Sequence, residues 1–439
     1  MKTAVVFAVL LSIALPIMGI TITGDSTLKG KLQTFVSYSM SLTSLLLCLL
    51  TIVVSTYSLT SDITQKQIFT VVTKPVRRYQ LLLGKLLGVV LLDTALLVTF
   101  TVIIYCFTIG IRKLTDVPAD QIIQADNEFF TARASLVPPV MDVTAEAMEE
   151  YHKLQRAGQL PENMTRMQVL SYLKMHKQLE KRAAAPGTEI AWQFDNIKPL
   201  GPDDMLFVRF KYDVSVTPID KSVYSRWYIG DDRQIRLGLA RSKAPLYQFD
   251  RKDLIKAFHE IVVPGDAVSP DGYLAVVFQN IPQMNNTVVV FPFEDGLEIL
   301  YKADSFTANY IRAVLLILVR LIFLAALGIF AATWLSFPVA VLICLVVFLI
   351  AVMSGFITDS FTFMNITWNN VFDFTVRPLI AFLPKFNQSN PSEYLVPGRL
   401  ITWSALSRIV AVMIAVKSLI LFLVGIVFFS FREIAKITV

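Results

Sequence analysis

Six long runs of apolar residues alternate along this chain with polar stretches of very different length. A helix needs about 20 apolar residues to cross the roughly 30 Å hydrocarbon layer of a bilayer. Each run meets that length, and the runs lie near residues 3–23, 34–57, 80–108, 308–334, 337–357 and 407–431. The pattern predicts an α-helical membrane protein with six transmembrane helices.

The first run has two interpretations. Lys2 followed by an apolar core is also the pattern of a cleaved secretory signal. That core runs past the length of about 7–15 residues that is typical of a signal, and no A-x-A cleavage site follows it. The length favours an uncleaved span, and cleavage stays the alternative.

A polar insert of nearly 200 residues separates the third run from the fourth. Its first part, residues 111–187, has helical periodicity, and Thr165 with Gln168 has the spacing of a capping box. Residues 188–306 alternate instead between apolar and polar positions, with turn-forming residues between the short strands. We therefore expect an α+β insert whose second part resembles a β-sandwich. Its role is open between a binding module and a structural lid.

The short connections carry an uneven charge, which orients the spans. Residues 58–85 hold five basic residues against Asp62 alone, whereas residues 24–33 hold two lysines and one aspartate. Cytoplasmic loops of membrane proteins are enriched in Lys and Arg. We therefore expect residues 58–85 and both termini to be cytoplasmic, and residues 109–307 and 358–406 to be extracytoplasmic.

These observations predict four parts. Residues 1–110 hold the first three spans and a cytoplasmic helix at 61–73, and residues 111–187 form the helical part of the insert. Residues 188–306 form its sheet part, and residues 307–439 hold the last three spans. Within the last part, the outer loop at 358–406 is rich in aromatic residues, and its stretch "VFDFTVRPLIAFLPKF" predicts a helix in the membrane interface.

Composition narrows the functional class. The chain is 54% hydrophobic and 17% charged, a balance that favours a membrane protein over a soluble one. Residues 111–306 hold 23 Lys and Arg against 27 Asp and Glu, and the remainder holds 17 against 7. This distribution argues against nucleic-acid binding, which needs a basic soluble face. The three histidines have no metal-ligand spacing, and no catalytic motif occurs on the spans, so we expect neither a metal site nor an enzyme.

The stretch "SDITQKQIFTVVTKPVRRYQLLLGK" (61–85) lies between the second and third runs. Ser61 has the position of an N-cap, and Asp62 complements the positive end of a helix dipole. Pro75 lacks a backbone N–H and disfavours helix at the residue before it. The stretch therefore predicts a short helix over 61–73, followed by two arginines near the headgroups.

This stretch resembles the ABC-2 type permease family, the membrane subunits of ABC transporters, and in particular its copper-site maturation branch. The matching positions are Asp62, Ile68, Thr73, Lys74, Pro75, Arg78, Leu82, Leu83, Gly84 and Lys85, with Arg77 beside them. Residues 335–350 resemble the fifth span of that family and the turn before it. The chain departs from the family at Thr64 and Gln65, where an acidic pair is usual, and in its large insert.

The resemblance implies a coupling helix at 61–73 that sits in a groove of a cytoplasmic ATPase subunit. It further implies two copies of that ATPase, a second permease chain in a homo- or heterodimer, and export or extraction of a substrate across the bacterial inner membrane. ATP and Mg²⁺ would bind to the ATPase, since this chain has no G-x-x-x-x-G-K-[ST] motif. We expect no cofactor on this chain.

Three ionisable residues lie inside the apolar runs: Asp93, Arg320 and Lys417. Each costs about 2.5–3.5 kcal/mol at the centre of a membrane helix, so each requires a partner or water. Helical rise places all three at similar depth, and we expect Asp93 to pair with Arg320 or Lys417. The alternative is that both bases extend to the outer surface while Asp93 bonds a local hydroxyl.

A membrane-anchored receptor or tether with an external ligand-binding domain is the alternative function. In that case residues 61–85 form only a charged loop that fixes topology. A helix stopped by proline between spans two and three favours the permease, because a tether has no need of one.

Overall fold

The computed structural model describes residues 2–22, 24–25, 27–65, 77–139, 141–160, 165–197, 204–233, 244–282, 287–293, 295–362, 383–386 and 390–431. Its chain divides into two compact units. Residues Met1–Ala132 and Asp304–Val439 form the helical unit, and residues Arg133–Ala303 form the sheet unit. Each unit is described by itself below.

The described helices are α1 (Lys2–Thr21), α2 (Leu28–Thr64), α3 (Arg78–Leu114), α4 (Ala119–Glu128), α5 (Thr144–Arg156), α6 (Arg166–Glu180), α7 (Phe306–Ala332), α8 (Phe337–Thr362), α9 (Pro391–Leu395), α10 (Trp403–Val410) and α11 (Leu419–Phe431). A π-helical segment, Ala411–Ser418, joins α10 to α11 without a break. The described strands are β1 (Thr131–Leu136), β2 (Ala183–Ala184), β3 (Glu189–Phe194), β4 (Met205–Phe210), β5 (Asp213–Val214), β6 (Ser222–Gly230), β7 (Leu246–Leu254), β8 (His259–Pro264), β9 (Leu274–Asn280), β10 (Val289–Val290) and β11 (Leu297–Ser305).

Six of the described helical segments are long and apolar enough to cross a membrane. They are Ala4–Thr21, Leu28–Thr64, Arg78–Leu114, Phe306–Ala332, Phe337–Ile357 and Trp403–Phe431. These segments coincide with the six predicted runs, so the chain combines the helices of a multi-pass membrane protein with a separate sheet-containing unit.

Helix α7 lies at the centre of the helical unit. Of the 18 most apolar consecutive residues of α7, 72% are buried, whereas the figure is 22% for the corresponding stretches of α1 and of the last span. It packs against α2, α3, α8 and the last span. At Gly328 the backbone comes so close to α2 that a Cβ atom would overlap Ser55 Oγ, so the small residue permits close helix packing.

Helix α2 is longer at its C-terminal end than the sequence indicated. Ser61 and Asp62 belong to the last turns of α2, which ends at Thr64, so the prediction that Ser61 caps a separate helix is wrong. The hydroxyls of Thr60 and Thr64 donate to the carbonyls four residues earlier, and neither Gly nor Pro interrupts this part of the helix. Residues 66–76, which hold most of the predicted coupling helix, lie outside the described residues.

Residues that follow α3 belong to the helical unit. Leu28 N donates to the Gln121 side chain at 3.2 Å, and Lys29 forms an ion pair with Glu128. Phe129 is fully buried with the residues of the spans. The boundaries between the two compact units therefore lie at 132/133 and 303/304. The sequence placed the boundaries of the insert at 110/111 and 306/307.

The described strands of the sheet unit form three sheets with strand orders β1-β11-β4-β8, β2-β10-β5 and β3-β9-β6-β7. β4 pairs antiparallel with β8 and with β11, and Phe207 lies opposite Val262 on one side and Leu300 on the other. One hydrophobic core takes residues from all three sheets. At its centre the ring of Trp227 lies 4.4 Å from that of Phe210, so the sheets enclose a common interior.

Several insert predictions are confirmed. Thr165 and Gln168 form the capping box at the start of α6, with Thr165 N donating to Gln168 Oε1 at 2.8 Å. The alternation expected for residues 188–306 occurs in β4, where Leu206, Val208 and Phe210 all belong to the core of the sheet unit. The predicted interfacial helix around Arg377, in contrast, lies outside the described residues apart from residues 383–386.

Candidate functional site

Two groups of polar residues in the helical unit bear on function. The first, here called the loop-end cluster, comprises Ser58, Asp62, Arg78 and Lys85 and flanks the 65–77 connection between α2 and α3. The second, here called the buried polar row, comprises Ser44, Cys48 and Thr51 of α2 with Asp93 of α3 and Arg320 of α7.

The loop-end cluster fastens the end of α2 to the start of α3. Lys85 Nζ lies 2.5 Å from Asp62 Oδ2 and donates to the Ser58 carbonyl at 2.8 Å. The Lys85 and Asp62 side chains are only 24% and 22% exposed. A partly buried pair of this kind is screened less by salt than an exposed one, so it holds the two helix ends together.

Arg78 extends the cluster to the last span. Its Nη1 donates to the carbonyls of Phe429 at 3.1 Å and Ser430 at 2.7 Å. Arg78 therefore joins α3 to the last described turn of α11, and three helices are joined at one end of the unit.

The other predicted coupling residues have different positions. Arg77 is the exposed residue that precedes α3, and its backbone N–H donates to Gln80 Oε1 at 3.0 Å. Ile68, Thr73, Lys74 and Pro75 lie outside the described residues. The structure thus brings Asp62 and Lys85 together, places Arg78 against the last span, and describes only residues 61–65 of the predicted coupling helix.

In the buried polar row, the carboxyl group of Asp93 is fully enclosed. Its Oδ2 lies 2.9 Å from Thr51 Oγ1, and its Oδ1 has no hydrogen-bond partner among the described residues. Thr51 Oγ1 also lies 2.8 Å from the Leu47 carbonyl. A threonine hydroxyl has a single hydrogen, so it can donate to only one of these two oxygens at a time.

Arg320 lies at another position of the same row. It donates to Ser44 Oγ at 3.2 Å and to the Phe386 carbonyl at 3.1 Å, and its guanidinium stacks over the Phe386 ring. Charged hydrogen bonds and a cation–π contact take the place of water around the buried guanidinium of Arg320. Through these contacts Arg320 joins α7 to α2 and to residues 383–386.

The expected pairing of Asp93 with a base is not what the structure shows. Among the described residues no ion pair involves Asp93, and Lys417 in the π-helical segment donates to the Leu383 carbonyl at 2.8 Å. The local hydroxyl of Thr94 bonds the Val90 carbonyl instead of Asp93. Sequence reasoning missed Thr51 and Ser44, although their seven-residue spacing puts both on one face of α2.

The charged residues of the sheet unit form local pairs. Arg233 donates to Asp231 at 2.8 Å and to Asp271 at 2.7 Å. The hydrogen bond from Arg233 lowers the pKa of Asp271, and both carboxylates raise the pKa of Arg233. No group of three metal-ligating side chains occurs among the described residues, and these pairs join β6 to the 269–273 turn.

No protein-family model, curated protein or solved structure matches this chain.

Proposed function

We propose that this chain is the permease subunit of an ABC transporter of the ABC-2 type, lying in the bacterial inner membrane. In this proposal a separate cytoplasmic ATPase binds the 65–77 connection, and a second permease chain completes the transporter. The sheet unit, a β-sandwich-like domain, lies on the extracytoplasmic side. ATP hydrolysis drives export or extraction of a substrate whose chemistry remains open.

The loop-end cluster carries this proposal. A connection that only sets topology needs no fixed geometry at its ends. Here both ends are fastened, because Lys85 pairs with Asp62 and Arg78 donates to carbonyls of the last helix. A force applied to the connection would therefore reach α2, α3 and α11 together, as coupling to an ATPase requires.

The test is purification of the tagged full chain from its native membranes in mild detergent. Co-purifying proteins are identified by mass spectrometry, and ATP hydrolysis is assayed. Ile68→Asp places a charge on the apolar side of the predicted coupling helix, and Ile68→Leu is its matched control. We expect an ATPase subunit with the wild type and with Ile68→Leu, and at least a tenfold loss with Ile68→Asp.

Lys113→Asp is a second control, because Lys113 is an exposed cation at the other end of α3. It should leave the amount of ATPase unchanged. If no ATPase co-purifies with any of these proteins, the permease proposal is wrong, and a receptor or tether is the remaining interpretation.

A further inference from the structure

Residues 383–386, here called the inner segment, lie against the spans of the helical unit although they belong to no helix or strand. The Leu383 carbonyl accepts a hydrogen bond from Lys417 Nζ at 2.8 Å, and the Phe386 carbonyl accepts one from Arg320 Nη2 at 3.1 Å. Phe386 is only 2% exposed, and its ring contacts one phenylalanine ring of α7 and one of α8. Two basic side chains thus hold the inner segment between the spans.

The contacts of the inner segment fix its depth. Arg320 lies 12 residues, or about 18 Å, inside the nearer end of its predicted apolar run, and Lys417 lies ten residues, or about 15 Å, inside that of its own. The backbone N–H of Phe386 donates at 3.2 Å to the carbonyl of Ala351, which is six residues, or about 9 Å, inside the end of its run. In a hydrocarbon layer about 30 Å thick, the inner segment therefore lies well below the interface.

Lys385 is the charged residue of the inner segment. It is exposed, whereas Pro384 and Phe386 on either side of it are buried. No carboxylate among the described residues forms an ion pair with Lys385. A charged side chain that faces lipid at this depth is strongly unfavourable, and non-helical backbone inside a membrane is tolerated only where it is buried in protein or lines a water-filled cavity. We therefore expect Lys385 to face water that enters between the spans.

A second lysine adds to the positive charge at this place. Lys417 lies close enough to Lys385 for the two ammonium groups to repel each other. Arg320, the other cation that contacts the inner segment, has an electrostatic interaction with Glu393. Two like charges held together away from bulk water are unfavourable by themselves. An anion between the two lysines would be attracted by both and would offset their repulsion.

We propose that Lys385 and Lys417 line a water-accessible site within the spans that binds a soluble anion with phosphate, sulfonate or carboxylate groups. The site goes beyond the proposed function, since an anion would bind there whether or not an ATPase is attached, and only its use as a substrate site depends on that function. A lipid headgroup has the same chemistry, but it lies at the interface, about 15 Å from the middle of the hydrocarbon layer. A soluble anion is therefore the better match.

The first experiment measures water access and charge at position 385. Lys385→Cys is made in a Cys106→Ser background, since the other two cysteines are buried. The full chain in detergent is treated with anionic sulfonatoethyl methanethiosulfonate or with cationic trimethylammonioethyl methanethiosulfonate, both of which react with thiolates in water. Val216→Cys, at an exposed position of the sheet unit, is the reference. We expect the ratio of the anionic to the cationic rate to be at least tenfold higher at position 385, because Lys417 attracts the anion.

Variants of Lys417 test the origin of this preference. Lys417→Gln, combined with Lys385→Cys, should lose most of it, whereas Lys417→Arg in the same background keeps the charge and should retain it. An equal ratio at positions 385 and 216 would overturn the proposal, since the site would then carry no positive field. Absence of reaction at position 385 with either reagent would also overturn it, because Lys385 would then face lipid or protein.

A second measurement uses the native lysine and reports binding directly. Acetic anhydride acetylates Lys385 of the full chain, and mass spectrometry follows the rate while inorganic pyrophosphate is titrated. We expect saturable protection of at least tenfold, and Lys417→Gln should raise the midpoint about tenfold. Lys113, an exposed lysine at the end of α3, is the internal control and should be acetylated at an unchanged rate.

Two comparison samples identify the source of any protection. Phosphatidylglycerol offers the same phosphate chemistry on a lipid, and sodium chloride at equal ionic strength reproduces the screening by salt. Protection by phosphatidylglycerol alone would assign Lys385 to a lipid headgroup, and equal protection by sodium chloride would reduce the effect to screening. Either result would refute the site for a soluble anion, as would acetylation that pyrophosphate leaves unchanged.

Discussion

Asp93→Asn should make the protein more stable and, under the proposed permease function, should lower transport activity. The carboxyl group of Asp93 is fully buried and has one hydrogen-bond partner, Thr51 Oγ1. An asparagine amide can donate to Thr51 Oγ1 while Thr51 donates to the Leu47 carbonyl. The single hydroxyl hydrogen of Thr51 then serves one acceptor, and no charge needs burial.

The magnitude follows from the cost of the carboxyl group in either protonation state. An ionised carboxylate at a helix centre costs about 2.5–3.5 kcal/mol on insertion scales. Keeping an ordinary carboxylic acid of pKa about 3.9 protonated at pH 7 costs about 4 kcal/mol. The second amide N–H of asparagine remains without a partner, which returns about 1–2 kcal/mol. We expect a net gain of about 2 kcal/mol.

The assay follows the thiols as the detergent-solubilised protein is heated. In a Cys106→Ser background the remaining cysteines, Cys48 and Cys344, are buried, so a thiol-reactive dye reports unfolding. Asp93→Asn should raise the midpoint by several degrees, and Thr51→Val should lower it, because Asp93 then loses its partner. Thr99→Val, at an exposed position on α3, is the control.

A lower midpoint for Asp93→Asn than for the wild type would refute this reasoning, since it would mean that the carboxylate has a stabilising partner or bound cation. A buried ionisable group that costs stability is expected to have a role in function. Under the proposed function we therefore also expect slower ATP turnover when the partner ATPase is bound to the Asp93→Asn chain. Unchanged turnover would leave the carboxyl group without a role in coupling.

Three further predictions concern packing and pH. Trp227→Ala should lower the free energy of unfolding by about 3–5 kcal/mol, since Trp227 is fully buried among aromatic rings. Urea unfolding of the full chain, with proteolysis as the readout of the unfolded fraction, measures this loss. Gly328→Leu should lower the thermal midpoint by several degrees, because its side chain overlaps Ser55; an unchanged midpoint would show that α2 and α7 separate freely. Hydrogen bonds, chiefly from Ser222, lower the pKa of Asp220 to about 2, so its stabilising contribution is present above pH of about 4 and is lost as pH falls towards 2. Asp220→Asn should flatten the acid limb of unfolding curves in that window, and an identical limb would contradict this account.

The sequence predicted the spans well because length and apolar content decide whether a helix can cross a bilayer. It located their ends poorly, since the helices continue past the apolar runs. α2 begins at Leu28, where Thr27 accepts a hydrogen bond from Gly30 N, and it ends at Thr64. Hydropathy does not register a polar turn that stays helical through its own hydrogen bonds.

Strand β7 shows that apolar–polar alternation does not mark every strand of the sheet unit. Its core-facing positions include Arg251 and Asp253, which pair at 2.7 Å, and Asp253 is only 5% exposed. Because the buried side carries charges, alternation of apolar and polar residues is absent there. The partner of Asp93 escaped for a related reason, since the hydroxyl of Thr51 sits in an apolar run and only the packing of α2 on α3 brings it close.

The polar contacts of the helical unit define how a movement at the 65–77 connection would spread. α2 and α3 are joined at two levels, by Lys85 at the loop end and by Thr51–Asp93 about 12 Å further along α3. At the other end, α3 is joined to α7, because Tyr310 donates to the Thr101 carbonyl at 2.7 Å. A groove of about 410 Å³ lies between α3 and α7, and Thr101 and Tyr310 are among the residues that line it. α2 is joined to α7 as well, by the Arg320–Ser44 hydrogen bond and by the close packing of Gly328 on Ser55, so a displacement at the loop end would reach α2, α3 and α7 together.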